Sequence, residues 1–510
     1  MPTPNKFPRA PLALRVLLLC LLVAASAAPP TFARAFARGT NAAPAQDRRK
    51  THLYNRWREN YNGSVEQQKV AYQAGKEYLS RYGSDNDVYV QAVKRWVENY
   101  EKAVTDYESR QTSATDAQTY FQQAYQLHVA RRFAEAIDLY KRVAALVPSD
   151  PASFYNMGLC YYGLGQLNDA LASLRQAVSL DANHYQAHWA MGEVYVAQQQ
   201  YADAAAAYQR SIQIKQDFAE SHRGLGDVRL IQQQFRDALA EYDRARTLDT
   251  NNGFANRGAG IAYFNLGQFS DALTAFQRAS QILTNDAFTY NLLASTYHEL
   301  GRPSDAADAA QRAISLWPAN ATAAAAGSYI SLSWYYSFSD RPQASLDAAR
   351  RAVSLDPQQR MAYTNMCRAY NDLGQPNDAL SACARALELS PGDGETLYYE
   401  AVAYSKLGQK QRALEIFRRA AEAFEREPGV ETDRYYIRGN IYQQLGRDND
   451  AINSYRSALT RRPNFAQALL NLGIIYAAAG NDNAAMEQYN QLRRVDAIRA
   501  DKLLRVIQAK

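Results

Sequence analysis

The sequence predicts an all-α chain built as an α-solenoid, a stack of antiparallel helix hairpins. Three observations carry that prediction. The stretch "NMGLCYYGLGQLNDALASLRQAV" (156–178) reads as helix, turn, helix, and "YFNLGQFSDALTAFQRA" repeats its template, with Tyr263 following Tyr161 by three periods of 34 residues. Once the chain is set in this register, a small residue recurs at one helix position in eleven successive units. Finally, 510 residues at 47% hydrophobic and 21% charged are too many for one compact core, yet suit an array in which each unit contacts only its neighbours.

At the N-terminus, Lys6, Arg9 and Arg15 precede the apolar run "VLLLCLLVAASAA", and no acid appears before Asp47. The run is shorter than a membrane span of ~20 residues, and Ala25 and Ala27 complete a small-residue cleavage pattern. Residues 1–27 therefore read as a secretory signal, and the mature chain is expected in an exported compartment, periplasmic or extracellular. An uncleaved segment would instead leave it membrane-anchored. Residues 28–50, rich in Ala, Pro and Arg without periodicity, read as a flexible tether. Residues 51–116 read as an N-terminal helical cap or degenerate repeat: "VEQQKVAYQAGKEYLSRYG" and "DVYVQAVKRWVENYEKAV" are amphipathic, with the turn cluster "GSDND" between them.

From residue 117 the units begin at 117, 151, 185, 219, 253, 287, 326, 360, 394, 432 and 466. Position 8 is small throughout, as in Ala124, Gly158, Gly226, Ser333, Cys367 and Gly473. Position 20 is Ala or Ser, as in Ala170 and Ser345, and position 24 is usually Tyr, Phe or Leu. Positions 4, 7, 8 and 11 share one face of a first helix; 20, 24 and 27 share one face of a second. A helical glycine costs about 1 kcal/mol relative to alanine, so close backbone packing is expected there, position 8 facing position 20, with large side chains on either side. Glycines such as Gly165 and Gly267 end the first helix, and prolines at position 32, such as Pro148 and Pro318, stop the second.

This pattern resembles the tetratricopeptide repeat (TPR) family over about 117–499, three quarters of the chain. The resemblance implies a right-handed superhelix of helix hairpins whose first helices line a concave groove that binds peptides or proteins. Two departures stand out: about five extra residues at 321–325, and the insertion "EAFEREPGVET" before the tenth unit. Both are expected to alter the superhelical pitch. The family's Lys/Asn carboxylate clamp has no match at the corresponding positions. The charged amphipathic "AIRADKLLRVIQAK" at 497–510 suits a C-terminal capping helix.

No catalytic motif is found, so no enzyme activity is expected. No cofactor or metal is expected either. The Gly224/Gly226 and Gly258/Gly260 pairs lie inside first helices and are not phosphate loops. His184 and His188 have a ligand-like i, i+4 spacing, but His188 and His222 occupy packing position 4 and read as core residues. Cys367 and Cys383, at positions 8 and 24 of one unit, are expected to be free, with an offset of about one helical turn. The net charge of +6 is small and well mixed, which argues against a nucleic-acid partner.

Function is therefore sought in the groove, at positions 2, 5, 9 and 12 of the first helices. Position 5 runs Phe121, Tyr155, Trp189, Arg223, Arg257, Asn291, an aromatic row giving way to a polar and cationic one. Tyr125, Tyr162, Phe254, Phe264, Phe288 and Trp334 add aromatic surface nearby. Aromatics and arginine dominate binding hot spots, so the expected ligand is a protein or peptide, with acidic groups opposite the arginines. A glycan stacked on the aromatics is the alternative, and packing between units, with Arg223 and Arg257 paired to local acids, competes with both. Neither the partner nor the oligomeric state is named by these residues.

Overall fold

The computed structural model describes residues 48–509, apart from 86, 428 and 430. The signal sequence and all but the end of the tether lie outside the described residues. Twenty-five α-helices and no strands are found among the described residues. By internal contacts the chain divides into an N-terminal unit ending at Gln198 and a C-terminal unit beginning at Gln199.

The N-terminal unit opens with α1 (Arg48–Asn60), α2 (Val65–Tyr82) and α3 (Val88–Val129). Residues 48–50 of the predicted tether are thus helical, and the Lys50 ammonium pairs with Asp87 at 2.9 Å. Leu53, Trp57, Ala71, Tyr78, Val93 and Trp96 form a separate small core. Asp87 caps α3, accepting hydrogen bonds from the Tyr89 and Val90 N–H groups. No glycine or proline interrupts residues 104–116, so α3 continues for 42 residues and merges the predicted cap helix with the first helix of repeat 1. Its partner α4 (Phe133–Leu146) completes that repeat. Repeat 2 is α5 (Pro151–Gly163) and α6 (Leu167–Leu180), and α7 (Tyr185–Ala197) ends the unit.

The C-terminal unit begins with α8 (Tyr201–Ile214) and continues through α9 (Ala219–Ile231), α10 (Phe235–Leu248), α11 (Gly253–Asn265), α12 (Phe269–Ile282), α13 (Ala287–Glu299) and α14 (Pro303–Leu316). There follow α15 (Thr322–Phe338), α16 (Pro342–Leu355), α17 (Arg360–Asp372), α18 (Pro376–Leu389), α19 (Gly394–Lys406) and α20 (Lys410–Arg426). The last helices are α21 (Thr432–Gln444), α22 (Asp448–Arg461), α23 (Ala466–Ala478), α24 (Asp482–Val495) and α25 (Ala497–Gln508). Within each unit, first helices pack along their own second helices, and second helices pack on the next first helix. Helix α25 lies against α23 and α24, and its Leu503 is fully buried.

The backbone confirms the register. Position 15 has positive φ in all eleven repeats: seven are glycines, from Gly165 to Gly480, and four are Arg131, Gln199, Gln233 and Asp340, at φ 54–60°. A left-handed residue at that point reverses the chain between helices, and glycine adopts it without a Cβ penalty.

Position 8 does not chiefly face position 20, as the sequence suggested. A Cβ on Gly226 would lie 2.8 Å from Cε1 of Tyr242, and one on Gly260 or Gly439 would lie 2.5 Å from Cε1 of Phe276 or Tyr455, all at position 24. The glycine seats the ring of its own second helix. The other member of each G-x-G pair seats the ring of the preceding repeat: a Cβ on Gly224 or Gly258 would lie 2.5 Å from Cε1 of Tyr208 or Tyr242. Tyr242 is thus held between Gly226 and Gly258 with no exposed surface.

Cys367 and Cys383 fill the same 8/24 pair in repeat 8, and there the expectation of free thiols is corrected. The two form a disulfide, with Cα atoms 5.3 Å apart, because position 24 sits directly opposite position 8 and not a turn away. Cys160 is free and buried, and burial pushes its thiol pKa up to about 12.

The two insertions lengthen helices: α15 and α20 each have 17 residues, where the other helices from α4 to α24 have 13 or 14. Between and around them the C-terminal unit folds back on itself. His298 and Glu299 of repeat 6 meet α21 of repeat 10. Phe338 of repeat 7 packs on Phe465, with ring centroids 5.8 Å apart, and Arg499 pairs with Asp340 at 2.8 Å.

Candidate functional site

The first-helix face carries every candidate residue, and the structure gives each a specific setting. In the N-terminal unit, Phe121 is 7% exposed and meets Tyr140 edge-on. Tyr155 is also buried, beside His184, with rings 5.0 Å apart. Trp189 is half-buried against the core that contains Tyr155. Tyr125 is half-buried, edge-on to His128. Tyr162 alone among these stands exposed.

In the C-terminal unit, the arginine row already has carboxylate partners. Arg223 donates from Nε to Glu220 at 2.8 Å and pairs through Nη1 with Asp227, one turn before and one turn after on the same helix. Asp227 in turn accepts the Tyr242 hydroxyl at 2.7 Å. Arg257 pairs with Asp286 at 2.8 Å. Burial pushes Asp286 up, but hydrogen bonds from Thr289 and Arg257 outweigh it and hold the carboxyl below its usual range. Asn291 exchanges hydrogen bonds with Ser328 at 2.8 and 3.0 Å. Phe264 packs edge-on to Phe269. The acidic ligand expected at position 5 therefore meets guanidinium groups occupied by the chain's own acids.

What remains open lies beside that row. The Arg257 guanidinium sits between the rings of Phe254 and Phe288, 5.0 and 5.4 Å from their centroids. Those rings, at position 2 of adjacent repeats, are 53% and 46% exposed, and Met361, at the same position of repeat 8, is 50% exposed.

Further along, side chains from repeats 6 to 10 converge on a charged and aromatic interior that the periodic reading did not single out. Trp334 lies here: its Nε1–H donates to Asp433 at 2.9 Å. Asp433 also accepts from His298 Nε2 at 2.6 Å and from Arg462 at 3.0 Å. Burial alone would raise its pKa, but Arg462, His298 and Trp334 together hold it far below the carboxylate range. Arg462 also lies 3.4 Å from Glu299, which accepts the Thr432 hydroxyl at 2.8 Å. The Arg368 guanidinium stacks on Trp334 and Phe338, 4.6 and 4.4 Å from the ring centroids, with Asp372 at 3.9 Å. Next to it is a recess of about 140 Å³ lined by Ile330, Trp334, Tyr335, Arg360, Met361 and Glu395, among others. Burial pushes the Glu395 carboxyl up to about 7; Asp393 adds to the rise, while Arg368 and Arg360 oppose it.

The histidines behave as packing residues. His222 is buried, with Nδ1 2.7 Å from Glu241 and Nε2 3.1 Å from the Gln216 carbonyl. His184 Nδ1 accepts the Ala187 N–H as a helix cap. Among the described residues no group of three or more His, Cys, Asp or Glu is placed to hold a metal ion. No helix among them is long and apolar enough to cross a membrane.

Comparison with known families returns the same repeat along much of the chain. Families described as "TPR repeat" match residues 192–233 and 439–480, and those described as "Tetratricopeptide repeat" match 223–287, 289–320, 370–430 and 467–495. The family "Anaphase-promoting complex, cyclosome, subunit 3" matches 129–211. No curated protein matches the sequence. Among solved structures, yeast Tom70 is similar at 12% identity, over 77% of this chain and 94% of that one, with a TM-score of 0.37. YrrB, described as a TPR protein with an unusual peptide-binding site, is similar at 22% identity, over 35% of this chain and 93% of its own, with a TM-score of 0.31. MamA is similar at 25% identity, over 33% of this chain and 96% of its own, with a TM-score of 0.29.

Proposed function

The chain belongs to the tetratricopeptide repeat family, and from that premise we propose that it is a non-enzymatic scaffold holding a protein or peptide along its first helices in an exported compartment. One observation carries the binding reading: Phe254 and Phe288 keep about half their surface open on either side of the Arg257 guanidinium, and Met361 is equally open at the same position two repeats beyond Phe288. Isolated apolar side chains on a surface are ordinary. Two rings in register on either side of a guanidinium have the composition of a binding hot spot. Export is supported by the N-terminal sequence and by the Cys367–Cys383 bridge, since disulfides persist in oxidising compartments.

The test substitutes the open rings and spares the ion-paired arginines. A photo-crosslinking residue at 254 or 288, presented to cell-envelope extract, should capture a discrete partner. Phe254→Ala with Phe288→Ala should weaken that partner's binding by about 2–4 kcal/mol at an unchanged melting temperature. Equal capture from a crosslinker placed on an exposed second-helix residue such as Arg385 would remove the reading.

A further inference from the structure

Resting on the peptide-binding reading above, we propose that the recess formed by α15, α17 and α19 is a subsite for a cationic side chain, a lysine or arginine of the bound partner, with Glu395 as its counter-ion. Three observations support it. The first is charge balance. Arg360 is paired with Asp393 at 2.7 Å. Arg368 lies on aromatic rings with Asp372 at 3.9 Å. Asp433 is held by His298, Trp334 and Arg462. Glu395 accepts no hydrogen bond and enters no ion pair among the described residues, so the charge left uncompensated at this point is negative.

The second is shape. Ile330, Trp334 and the half-exposed Met361 offer an apolar wall leading to the carboxylate. Lysine and arginine bury methylene stems along such walls while the charged head meets a polar group. Two polar neighbours in the recess are bonded within the protein: Asn365 donates to the Ile330 carbonyl, and Thr364 bonds to Thr396. Glu395 is the one carboxylate lining the recess, and it accepts from no other group among the described residues, so it is the acceptor suited to an incoming cation.

The third is titration. The largest influences on Glu395 come from these neighbours: burial and Asp393 push it up, Arg368 and Arg360 pull it down, Asp433 adds a smaller rise, and the balance lies at about 7. A cation seated on Glu395 favours its ionised form. Binding should therefore release a proton near neutrality and weaken as the pH falls. Between pH 8 and pH 6 the ionised fraction drops about ten-fold, and the affinity with it.

The experiment uses the full-length protein labelled with 5-fluorotryptophan, the ¹⁹F resonance of Trp334 being assigned by Trp334→Phe. The probes are Nα-acetyl-lysine methylamide, its norleucine analogue and its glutamate analogue. The lysine probe is expected to shift the Trp334 resonance saturably, about ten-fold more tightly at pH 8 than at pH 6. Glu395→Gln, which keeps the side chain's shape, is expected to weaken it at least ten-fold and abolish the pH dependence. Equal response to norleucine, a stronger response to glutamate, or no saturable response to lysine overturns the subsite. These probes need no natural partner, so the subsite can fail while capture at Phe254 and Phe288 stands, and the reverse.

Discussion

Gly258→Ala is expected to loosen the array even though alanine is the better helix former. Gly258 lies inside α11, where alanine alone would contribute about 1 kcal/mol of helix propensity. Its new Cβ, however, would stand 2.5 Å from Cε1 of Tyr242, against 3.5–4.0 Å for a relaxed carbon contact. The ring would have to retreat by about 1 Å. It has nowhere to go, because Gly226 backs it on the other side at a distance where a Cβ would already clash, and its hydroxyl is tied to Asp227. Overpacking of this kind costs about 1–3 kcal/mol.

Gly327 supplies the control. It lies inside α15, where an added methyl group would meet nothing within 4 Å, so Gly327→Ala gains the propensity without the clash. The difference between the two variants isolates the overpacking term. Stacked repeats open locally as well as globally, so the assay is hydrogen exchange by mass spectrometry over 219–282. Gly258→Ala should speed exchange of the protected amides there, relative to a variant with only the propensity change, by roughly 5- to 150-fold, the equivalent of about 1–3 kcal/mol. In a Tyr242→Leu background the gap should shrink, because the clashing ring is gone. If Gly258→Ala slows exchange across 219–282, as Gly327→Ala is expected to do in its own helix, the seating of Tyr242 by paired glycines is wrong.

Two further outcomes follow from the same structure. Alkylation of unfolded, unreduced protein should label Cys160 and spare Cys367 and Cys383; replacing the pair by alanine should cost about 3 kcal/mol for a bridge closing 16 residues, and adducts on both cysteines without reduction would refute the bridge. Asp433→Asn should cost about 3 kcal/mol at pH 7, because Arg462, 3% exposed at its side chain, loses a buried counter-ion. The folded-state pKa of Asp433 is depressed, so its contribution is fully present above about pH 4, the unfolded carboxyl value, and is lost as pH falls below that; the two proteins' melting temperatures should therefore converge on acidification, and a gap that widens instead would contradict the assignment.

The parts of the fold legible in the sequence are those set by local, periodic chemistry. Pro148, Pro318, Pro357, Pro391 and Pro463 each stand two residues beyond a helix end, and Gly165 marks a reversal whatever surrounds it. Where punctuation was missing, the reading divided a continuous element: nothing between 104 and 116 stops a helix, and α3 runs through. The candidate site was legible only on one side of each contact. Glu220 and Asp227 sit one turn either side of Arg223 and were within reach of helix geometry. Asp286, the cap of the following first helix, reaches Arg257, and Ser328 reaches Asn291 from the next repeat, neither of which a single-helix argument sees. The meeting of His298 with Asp433, 135 residues apart, joins repeats 6 and 10, and no periodic rule encodes it.

One misplaced contact accounts for both the misread glycines and the missed disulfide. Pairing position 8 with position 20 made the glycine a spacer between backbones, and it set Cys383, four residues on, a turn away from Cys367. The structure pairs 8 with 24. Under that pairing, Gly226 opposite Tyr242, Gly260 opposite Phe276 and Cys367 opposite Cys383 are three solutions to one spatial problem: how to fill a fixed gap between two crossing helices. A glycine admits a ring, a leucine fills the gap opposite Gly158, and two cysteines close it covalently. The G-x-G pairs then follow, because the Tyr208 and Tyr242 rings reach past their own repeats and are seated by a second glycine in the next. A sequence carrying a large residue at 24 should therefore carry a small one at 8, and a ring long enough to cross the interface should be met at position 6 one repeat later either by glycine, as Tyr208 is by Gly224 and Tyr242 by Gly258, or by a partner for its hydroxyl, as Tyr455 is by the Asn471 amide at 3.3 Å.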